Sequence, residues 1–354
     1  MEMKRPVMNP MFVVDRAAVR PSRPSPVRAV LRTVRLFFSL LLVDLRFWRA
    51  RSRLNVEEGS LAGRFIRGLT YRLLFAPVLV VALVAVLVFW GTHPPRTSGQ
   101  SDPLSQGNYY DPVLIESDGG LKLHGWLVPV IDARRVLSER EMAIRQKHPA
   151  VVLVHDFAAS RYQMLPLIAP LHEAGFVVLA VSLRGSDSSS SAGCTFGIQE
   201  SHDVEAAVQT LRNRTYVDAS RIAVIAIGTG ANAAMLAAER DPRIAALVLE
   251  RPYRNSDQVV AEHLAPSQDW LSWLRPLCKW AFEFGYRVDA DDLGFDRQGK
   301  LMSSRPVLVF GDDAQRLTTL RQPGTGQVVR FLHRALEVAG PLPTAAAEQR
   351  PVGR

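Results

Sequence analysis

One segment, residues 221–238, constrains the fold of this chain more than any other. It opens with RIAVIAI, an apolar run that indicates a strand buried on both faces. A glycine-containing turn at residues 228–230 follows, and the next stretch, ANAAMLAA, has the composition of a helix. A buried strand that passes through so short a turn into a helix is the repeating unit of a parallel α/β sheet. The sequence therefore predicts this class of fold.

Further apolar runs repeat the pattern and are separated mostly by segments of helical length, which predicts a mostly parallel sheet with helices on both faces. Ahead of them, apolar and polar residues alternate on both sides of an Asp-Gly-Gly turn, which predicts an antiparallel hairpin. The hairpin strands are residues 111–117 and 121–128, and the later runs are residues 150–155, 176–181, 244–249 and 306–310.

A long insertion, residues 252–305, separates the last two runs. Its apolar residues recur at helical spacing and include Trp270, Trp273 and Trp280. We expect a helical cap over the carboxyl ends of the strands, which is where α/β sheets bind ligands. Ordinary helix core is the alternative for any single tryptophan.

Residues 73–90 contain no charge and include one proline. At about 1.5 Å per residue, such a helix is about 27 Å long, close to the thickness of the bilayer hydrocarbon. We predict a transmembrane helix, with a buried core helix as the alternative. Arg64, Arg67 and Arg72 precede the run, so the positive-inside rule predicts a cytoplasmic N-terminus and an extracytoplasmic C-terminal domain at the cell inner membrane.

The first 72 residues contain 15 Lys and Arg against 5 Asp and Glu, so the basic character of the chain lies in this segment. Residues 31–48 mix arginine with apolar residues, which predicts an interfacial amphipathic helix or, alternatively, a helix that packs on the span or on a partner. We expect membrane lipids as partners through residues 28–90. Because the basic charge ends at the apolar run, we expect no nucleic-acid partner.

The chain contains two cysteines, Cys194 and Cys278, which lie far apart in the sequence. Two free thiols are favoured, and their pairing is left open. The spacing of cysteine and histidine does not match a metal site, so we expect no metal and no cofactor.

Composition and patterning together divide the chain into five parts. They are a basic cytoplasmic segment (1–72), a transmembrane helix (73–90), a linker (91–110), the α/β domain (111–340) and a disordered tail (341–354).

Several motifs, taken in order, resemble the α/β-hydrolase superfamily, in particular its prolyl-oligopeptidase-like and acyl-esterase branch. The resemblance covers residues 111–313 and implies an α/β-hydrolase fold with a helical cap and a truncated C-terminal end. The motifs are DGGLKLHGW (118–126), VHDFAAS (154–160), LRGSDS (183–188), TFGIQESHD (195–203) and the strand–turn–helix at residues 221–238.

The family's catalytic positions differ in this sequence. The resemblance places the nucleophile at Gly228, which has no side chain, while the neighbouring Thr229 would point elsewhere. Asp312 or Asp313 follows the last strand, where the family carries its acid, with Asp313 the first candidate. His333 is the one histidine beyond it, on a closing helix; we expect a surface residue there and count it as a weak candidate base.

The oxyanion motif also departs from the family. Asp156 and Phe157 follow His155, and a carboxylate at Asp156 would bring negative charge to the place where an oxyanion needs donors. This charge opposes acyl transfer. We interpret His155 as a packing residue at the end of a strand.

Three functions are consistent with these residues. We favour a catalytically degenerate, membrane-anchored protein that binds a small acyl or peptide ligand or a protein partner. The second is an active esterase, thioesterase or peptidase with a relocated nucleophile at Thr229, Ser160 or Ser182. The third is a membrane-associated scaffold.

Overall fold

A computed structural model describes residues 61–130, 146–265, 269–297, 305–310 and 323–337. Several predictions fall outside these residues: the first 60 residues of the basic segment with its amphipathic helix, the acid at Asp312 or Asp313, and the C-terminal tail. The chain divides into two compact units, Met1–Val80 and Val81–Arg354.

A long helix, α1 (Leu61–Thr92), precedes the α/β domain. It is longer than the predicted span at both ends, because residues 61–72 and the two residues after Trp90 continue the same helix. The stretch Phe75–Thr92 is long and apolar enough to cross a membrane, and only 17% of it is buried. The prediction of one membrane-spanning helix is therefore consistent with the length and composition of α1.

Seven strands form one sheet, in the spatial order β1-β2-β4-β3-β5-β6-β7. The first two make the predicted antiparallel hairpin, and β2 is antiparallel to β4, while all other neighbours are parallel. Every run predicted as a strand is therefore present. The strands are β1 (Asp111–Ser117), β2 (Leu121–Val128), β3 (His148–Val154), β4 (Val177–Val181), β5 (Val217–Ile227), β6 (Ile244–Glu250) and β7 (Val307–Phe310).

Helices lie between the strands and beyond them. The described part of the segment between β6 and β7 includes the α-helices Ser256–Val259 and Arg275–Tyr286. It also includes a π-helical turn at Val260–Leu264 and 3₁₀ helices at Asp269–Leu274 and Ala290–Asp292. The helices after α1 are α2 (Leu165–Glu173), α3 (Glu200–Arg212), α4 (Thr229–Arg240), α5 (Ser256–Val259), α6 (Arg275–Tyr286) and α7 (Pro323–Ala335).

The continuous apolar runs are explained by burial on both faces of the sheet. Alternate residues of β3 point to opposite sides, so that Val152 packs in the cluster that includes α3 and α4, while Val151 packs with α2 and α7. Both residues are fully buried. A strand covered on both sides must be apolar at every position, which produces the pattern seen in the sequence.

The register brings the carboxyl ends of the central strands to one edge. Val154 of β3 is paired with both Val181 of β4 and Ala226 of β5, and Ile227 is paired with Glu250 of β6. The segments that follow these strands therefore meet at this edge, as is usual for ligand sites in open α/β sheets.

Candidate functional site

The turn between β5 and α4 holds Gly228 in a conformation that few other residues adopt. Its φ is +55° and its ψ is −117°, and its N–H donates to the carbonyl of Glu250 at 2.8 Å. Such positive-φ geometry strains any residue that has a Cβ. Gly230 is needed for a second reason, since a Cβ there would overlap the carbonyl oxygen of His155. The sharp strand-to-helix turn of the family is thus present without its nucleophile.

The carboxylate of Asp156 lies directly over this turn. Its Oδ1 atom accepts hydrogen bonds from the backbone N–H of Thr229 at 3.0 Å and from its following residue, Phe157, at 2.6 Å. Thr229 is the residue after the nucleophile position, and Phe157 belongs to the loop after β3. These are the two kinds of backbone donor that form the oxyanion hole in this fold. A carboxylate oxygen of the protein therefore accepts from the two backbone N–H groups at these positions.

The same carboxylate fills the space of a nucleophile side chain. A Cβ added to Gly228 would overlap the Oδ1 and Cγ atoms of Asp156. A serine at position 228 and the observed Asp156 conformation therefore exclude each other. This overlap is steric, while the electrostatic conflict expected at Asp156 stays a prediction.

His155 is buried beside this site, and both its ring nitrogens are occupied. Nε2 accepts from the N–H of Leu183 at 3.0 Å, so Nδ1 carries the proton and donates to the carbonyl of Asp156 at 2.7 Å. Burial lowers the pKa of His155, although Asp156, Asp187 and Asp203 oppose that effect. The ring is therefore held neutral, and it fixes the loop after β3 to the segment after β4.

An aromatic cluster covers the Asp156 loop. The ring of Phe157 lies 4.4 Å from the ring of His263 and 5.5 Å from Phe196, and Phe196 continues the cluster to Phe282 of α6 at 5.6 Å. His263 comes from the π-helical turn between α5 and α6. The insertion after β6 thus contributes side chains to the carboxyl edge of the sheet, where the sequence predicted a cap.

His263 is hydrogen-bonded to Tyr253, which follows β6. The two side chains are 2.7 Å apart between Oη and Nε2. Burial raises the pKa of Tyr253 and lowers the pKa of His263. The phenol is therefore protonated and donates to a neutral imidazole. The negative charge of Asp156 raises the pKa of both groups, which reflects how near they lie to it.

A small cavity of about 70 Å³ adjoins the Asp156 carboxylate. Its wall also includes Thr229, Cys194 and Arg96. Pockets that enclose drug-sized ligands measure about 300–1,000 Å³, so this volume accommodates only water or a few ligand atoms. Cys194 and Cys278 are both free thiols, and burial raises the pKa of each. Neither is therefore an activated thiolate nucleophile.

His333, the candidate base, is neither on the surface nor near the turn. It is 4% exposed, and its ring packs against Phe176 at 5.4 Å. Phe176 immediately precedes β4, at the amino end of that strand. The next residue, Val177, is paired with Ala150 of β3, and Ala150 is also paired with Ile222 of β5, so His333 lies at the level of Ile222 along the sheet. Gly228 lies six residues further along, about 20 Å at 3.3 Å per residue. The expectation of a surface histidine was wrong because α7 packs this position against the core.

Three hydroxyl groups were candidates for a relocated nucleophile, and all three are buried. Thr229 and Ser160 are each 3% exposed, and Ser182 has no exposed surface. The Ser182 hydroxyl accepts the Arg161 N–H at 3.2 Å. Asp313 lies outside the described residues, so its role as the acid stays a prediction.

His263 is the residue of this site that the sequence reasoning missed. The resemblance to the family directs attention to a histidine beyond Asp313, and His155 is the other histidine that the motifs single out. The available signal was the position of His263 in the insertion expected to cover the carboxyl edge. A histidine in such an insertion is a site candidate even where its exact partners are unknown.

Comparison with known proteins agrees with this architecture. A family model described as alpha/beta hydrolase fold matches residues 149–329. Among solved structures, the esterase Pf2001 from Pyrococcus furiosus is 20% identical, with a TM-score of 0.51 over 69% of this chain and 98% of that one. The alpha/beta hydrolase GrgF from Penicillium sp. sh18 is 16% identical, with a TM-score of 0.46 over 65% of this chain and 100% of that one. No curated protein matches.

Proposed function

Because the chain belongs to the α/β-hydrolase family, we propose that it is a membrane-anchored member whose hydrolytic centre is degenerate and that it acts by binding a ligand or partner. One observation carries the proposal. The Oδ1 atom of Asp156 accepts from the two backbone donors of the oxyanion hole, and its carboxylate fills the space of a nucleophile at Gly228. An ester carbonyl would find neither donors nor an attacking group there.

The histidines near the turn support the same proposal. Both nitrogens of His155 serve backbone groups, and Nε2 of His263 is bonded to Tyr253. A serine or threonine nucleophile needs a histidine within hydrogen-bond reach, itself held by a third group. Thr92 does lie 3.1 Å from His93, but its fully buried hydroxyl donates to the carbonyl of Val88. That pair is the cap of a helix rather than a nucleophile and base.

The small size of the cavity favours recognition at the surface. The cavity beside Asp156 measures about 70 Å³, less than the volume of about 300–1,000 Å³ of pockets that enclose drug-sized ligands. A protein partner or a ligand that opens the aromatic cluster fits this geometry better. The prolyl-oligopeptidase-like or acyl-esterase branch is supported by the opening hairpin and the motif after β4.

Fluorophosphonate labelling of the full chain tests the loss of hydrolytic function. We expect no stoichiometric labelling of the wild-type protein and none of the Gly228→Ser variant, because the new hydroxyl meets Asp156 and has no positioned base. Without general-base help a hydrolytic step loses a factor of about 10²–10⁴, so turnover of p-nitrophenyl esters should stay near background. Gly119→Ser, in an open turn at similar φ, is the matched control.

Labelling of wild-type protein at one residue would contradict the proposal and identify an active hydrolase with a relocated nucleophile. Saturable ester turnover by Gly228→Ser would show that a base and an acid are in place after all. The scaffold hypothesis requires no ligand at the carboxyl edge of the sheet. It is favoured if variants of Tyr253 and His263 bind membranes and protein partners with the same affinity as the wild type.

Membrane anchoring is the second part of the proposal. The apolar stretch Phe75–Thr92 and the basic residues before it support one membrane-spanning segment, with residues 28–90 in contact with lipid. The arginines at 64, 67 and 72 favour a cytoplasmic N-terminus at the inner membrane. Protease added to intact spheroplasts should digest the chain after residue 97 and leave residues 1–72 protected. The opposite protection pattern would reverse the orientation.

A further inference from the structure

A row of large apolar side chains is exposed on the segment between β6 and β7. It runs along the 3₁₀ helix Asp269–Leu274 and α6, and successive members are three or four residues apart, which places them on one helical face. Trp270, Phe284 and Trp280 are 75%, 74% and 64% exposed. We call this row the aromatic stripe. Its members are Trp270, Trp273, Leu277, Trp280 and Phe284.

The aromatic stripe is separate from the core that the same helix builds. Leu274, Cys278 and Phe282 recur on a different face of this helical segment and have no exposed surface. Single exposed apolar residues are ordinary, but five at helical spacing on one face are of the kind that marks an interaction surface. The domain itself does not cover the stripe, which is therefore a candidate surface for contact with another molecule or with lipid.

The ion pairs of α6 lie away from the aromatic stripe. Lys279 lies 2.5 Å from Asp291 and 3.9 Å from Glu283, so this positive charge is paired with carboxylates. The helix is thus amphipathic, with charged, buried and exposed aromatic residues at different positions around it. Helices with Trp, Phe and Leu on the apolar face are typical of segments that lie in a membrane interface.

Two contacts join this region to the end of the apolar helix. The hydroxyl of Tyr286, at the end of α6, donates to Oγ1 of Thr92 at 2.7 Å, and Thr92 is the last residue of α1. Gly91 lies so close to the carbonyl of His263 that a Cβ there would overlap it. The 12 residues of α6 span about 18 Å, so the stripe residues Leu277, Trp280 and Phe284 lie within about that distance along the helix of the contact with Thr92.

We propose that the aromatic stripe inserts into the interfacial layer of the bilayer that contains α1. The inference rests on the proposed membrane anchor. Tryptophan is the side chain that collects at the boundary between headgroups and acyl chains, because its ring is apolar and its N–H is polar. A lipid surface explains three exposed tryptophans beside the end of an apolar helix. The α/β domain would thus contact the bilayer surface through the stripe, in addition to its attachment through α1.

Tryptophan fluorescence of the full chain in proteoliposomes tests this inference. The sequence has six tryptophans. Trp48 belongs to the basic segment, Trp90 lies in α1, Trp126 is buried in the sheet, and the other three belong to the stripe. In a Trp48→Phe, Trp90→Phe background, emission comes from Trp126 and the stripe. We expect lipids brominated near the glycerol end of the acyl chain to quench most of this emission, and lipids brominated at the chain terminus to quench less. Acrylamide, added in water, should have little effect.

The matched control carries Trp270→Phe, Trp273→Phe and Trp280→Phe in the same background, which keeps the stripe apolar but leaves Trp126 as the emitter. Its emission should be insensitive to brominated lipid. Quenching of the stripe by acrylamide alone would overturn the inference, because the stripe would then lie in water. Resistance to both quenchers would also overturn it, since a second copy or another protein would then cover the stripe.

Flotation separates this inference from the anchor on which it rests. After an alkaline carbonate wash, the protein should float with the liposomes. Failure to float would contradict the membrane anchor itself, whereas a floating protein with unquenched stripe tryptophans would contradict the inference alone.

Discussion

Two aspartates of this domain use backbone N–H groups in the same way but have different surroundings. Asp203, on α3, is fully buried and accepts from the N–H of Arg184 at 2.9 Å, while the Arg184 guanidinium binds it at 2.7 Å. Asp156 is half-buried and accepts from Phe157 and Thr229. Among the described residues, the ion pairs involve Asp203 but not Asp156.

The presence of a cation beside Asp203 and not beside Asp156 in the described structure indicates different roles for the two carboxylates. Asp203 is neutralised by a cation and also accepts the Ser117 hydroxyl at 2.5 Å, so it joins β1, α3 and the loop after β4. Burial alone would lower the pKa of Arg184, yet hydrogen bonds and charge from Asp203 raise it. Asp156 accepts from two backbone N–H groups, and one of them, that of Thr229, lies at the start of α4. Removing Asp203 should damage the fold, and removing Asp156 should alter the site.

The largest expected effect is on the buried ion pair. Arg184→Met leaves Asp203 charged without its cation, and breaking one partner of a buried pair costs about 3–5 kcal/mol. Chemical denaturation of the protein in detergent measures this loss. Arg297→Met is the matched control, because its pair with Asp292 is exposed and such pairs contribute about 0–1 kcal/mol. Similar losses of unfolding free energy in the two variants would show that the pair of Arg184 with Asp203 is not important for stability.

Glycine 228 provides the next largest effect and a direct test of the crowded turn. Gly228→Ala combines a positive φ, which costs about 1–3 kcal/mol, with displacement of the Asp156 carboxylate. Gly119→Ala, at φ +69° with open space around it, carries the conformational cost alone. We expect Gly228→Ala to be the more destabilising in thermal unfolding.

A double mutant separates the two contributions at this turn. In an Asp156→Ala background the overlap is gone, so Gly228→Ala should cost less there than in the wild type. The difference is the coupling energy between the two residues. Additive effects would show that the carboxylate does not fill the nucleophile space in solution.

The sequence predicted the strands well because both faces of the sheet are buried, and continuous apolar runs as short as residues 222–227 are typical of strands covered on both sides. It also indicated that Asp156 reaches the carboxyl edge of the sheet, since position after a strand determines which edge a residue reaches. It could not place His263, because an insertion's packing depends on tertiary contacts such as that with Phe157. It misjudged His333 because helix spacing alone does not show which neighbour covers each face.

Buried histidines next to Asp156 predict a loss of stability in mild acid. Burial lowers the folded-state pKa of His155 and His263 below the usual 6.5, so the unfolded chain binds more protons as the pH falls below that value. The free energy of unfolding should therefore fall from pH 6.5 towards 5, by at most about 1.4 kcal/mol per pH unit for each histidine. Denaturation across this window measures the slope.

His263→Gln isolates one of these contributions. It removes a group that must stay neutral when folded, so its slope between pH 6.5 and 5 should be shallower than that of the wild type. A slope that is unchanged would assign the acid sensitivity to His155 and other groups, and a stability that rises as the pH falls would contradict burial as the dominant cause.

The smallest effect expected is that of Asp156→Asn. The Oδ1 atom of asparagine still accepts from Phe157 and Thr229, no cation is left unpaired within the described part of the site, and the half-buried position admits water. The stability change should stay within about 1 kcal/mol, whereas Asp203→Asn leaves the Arg184 guanidinium buried against a neutral amide and should cost several times more. Denaturation of the two variants side by side is the sharpest test of the comparison, because both replace the same carboxylate by the same amide. Equal losses would mean that Asp156 holds the fold together like Asp203, and its place over Gly228 would then be structural.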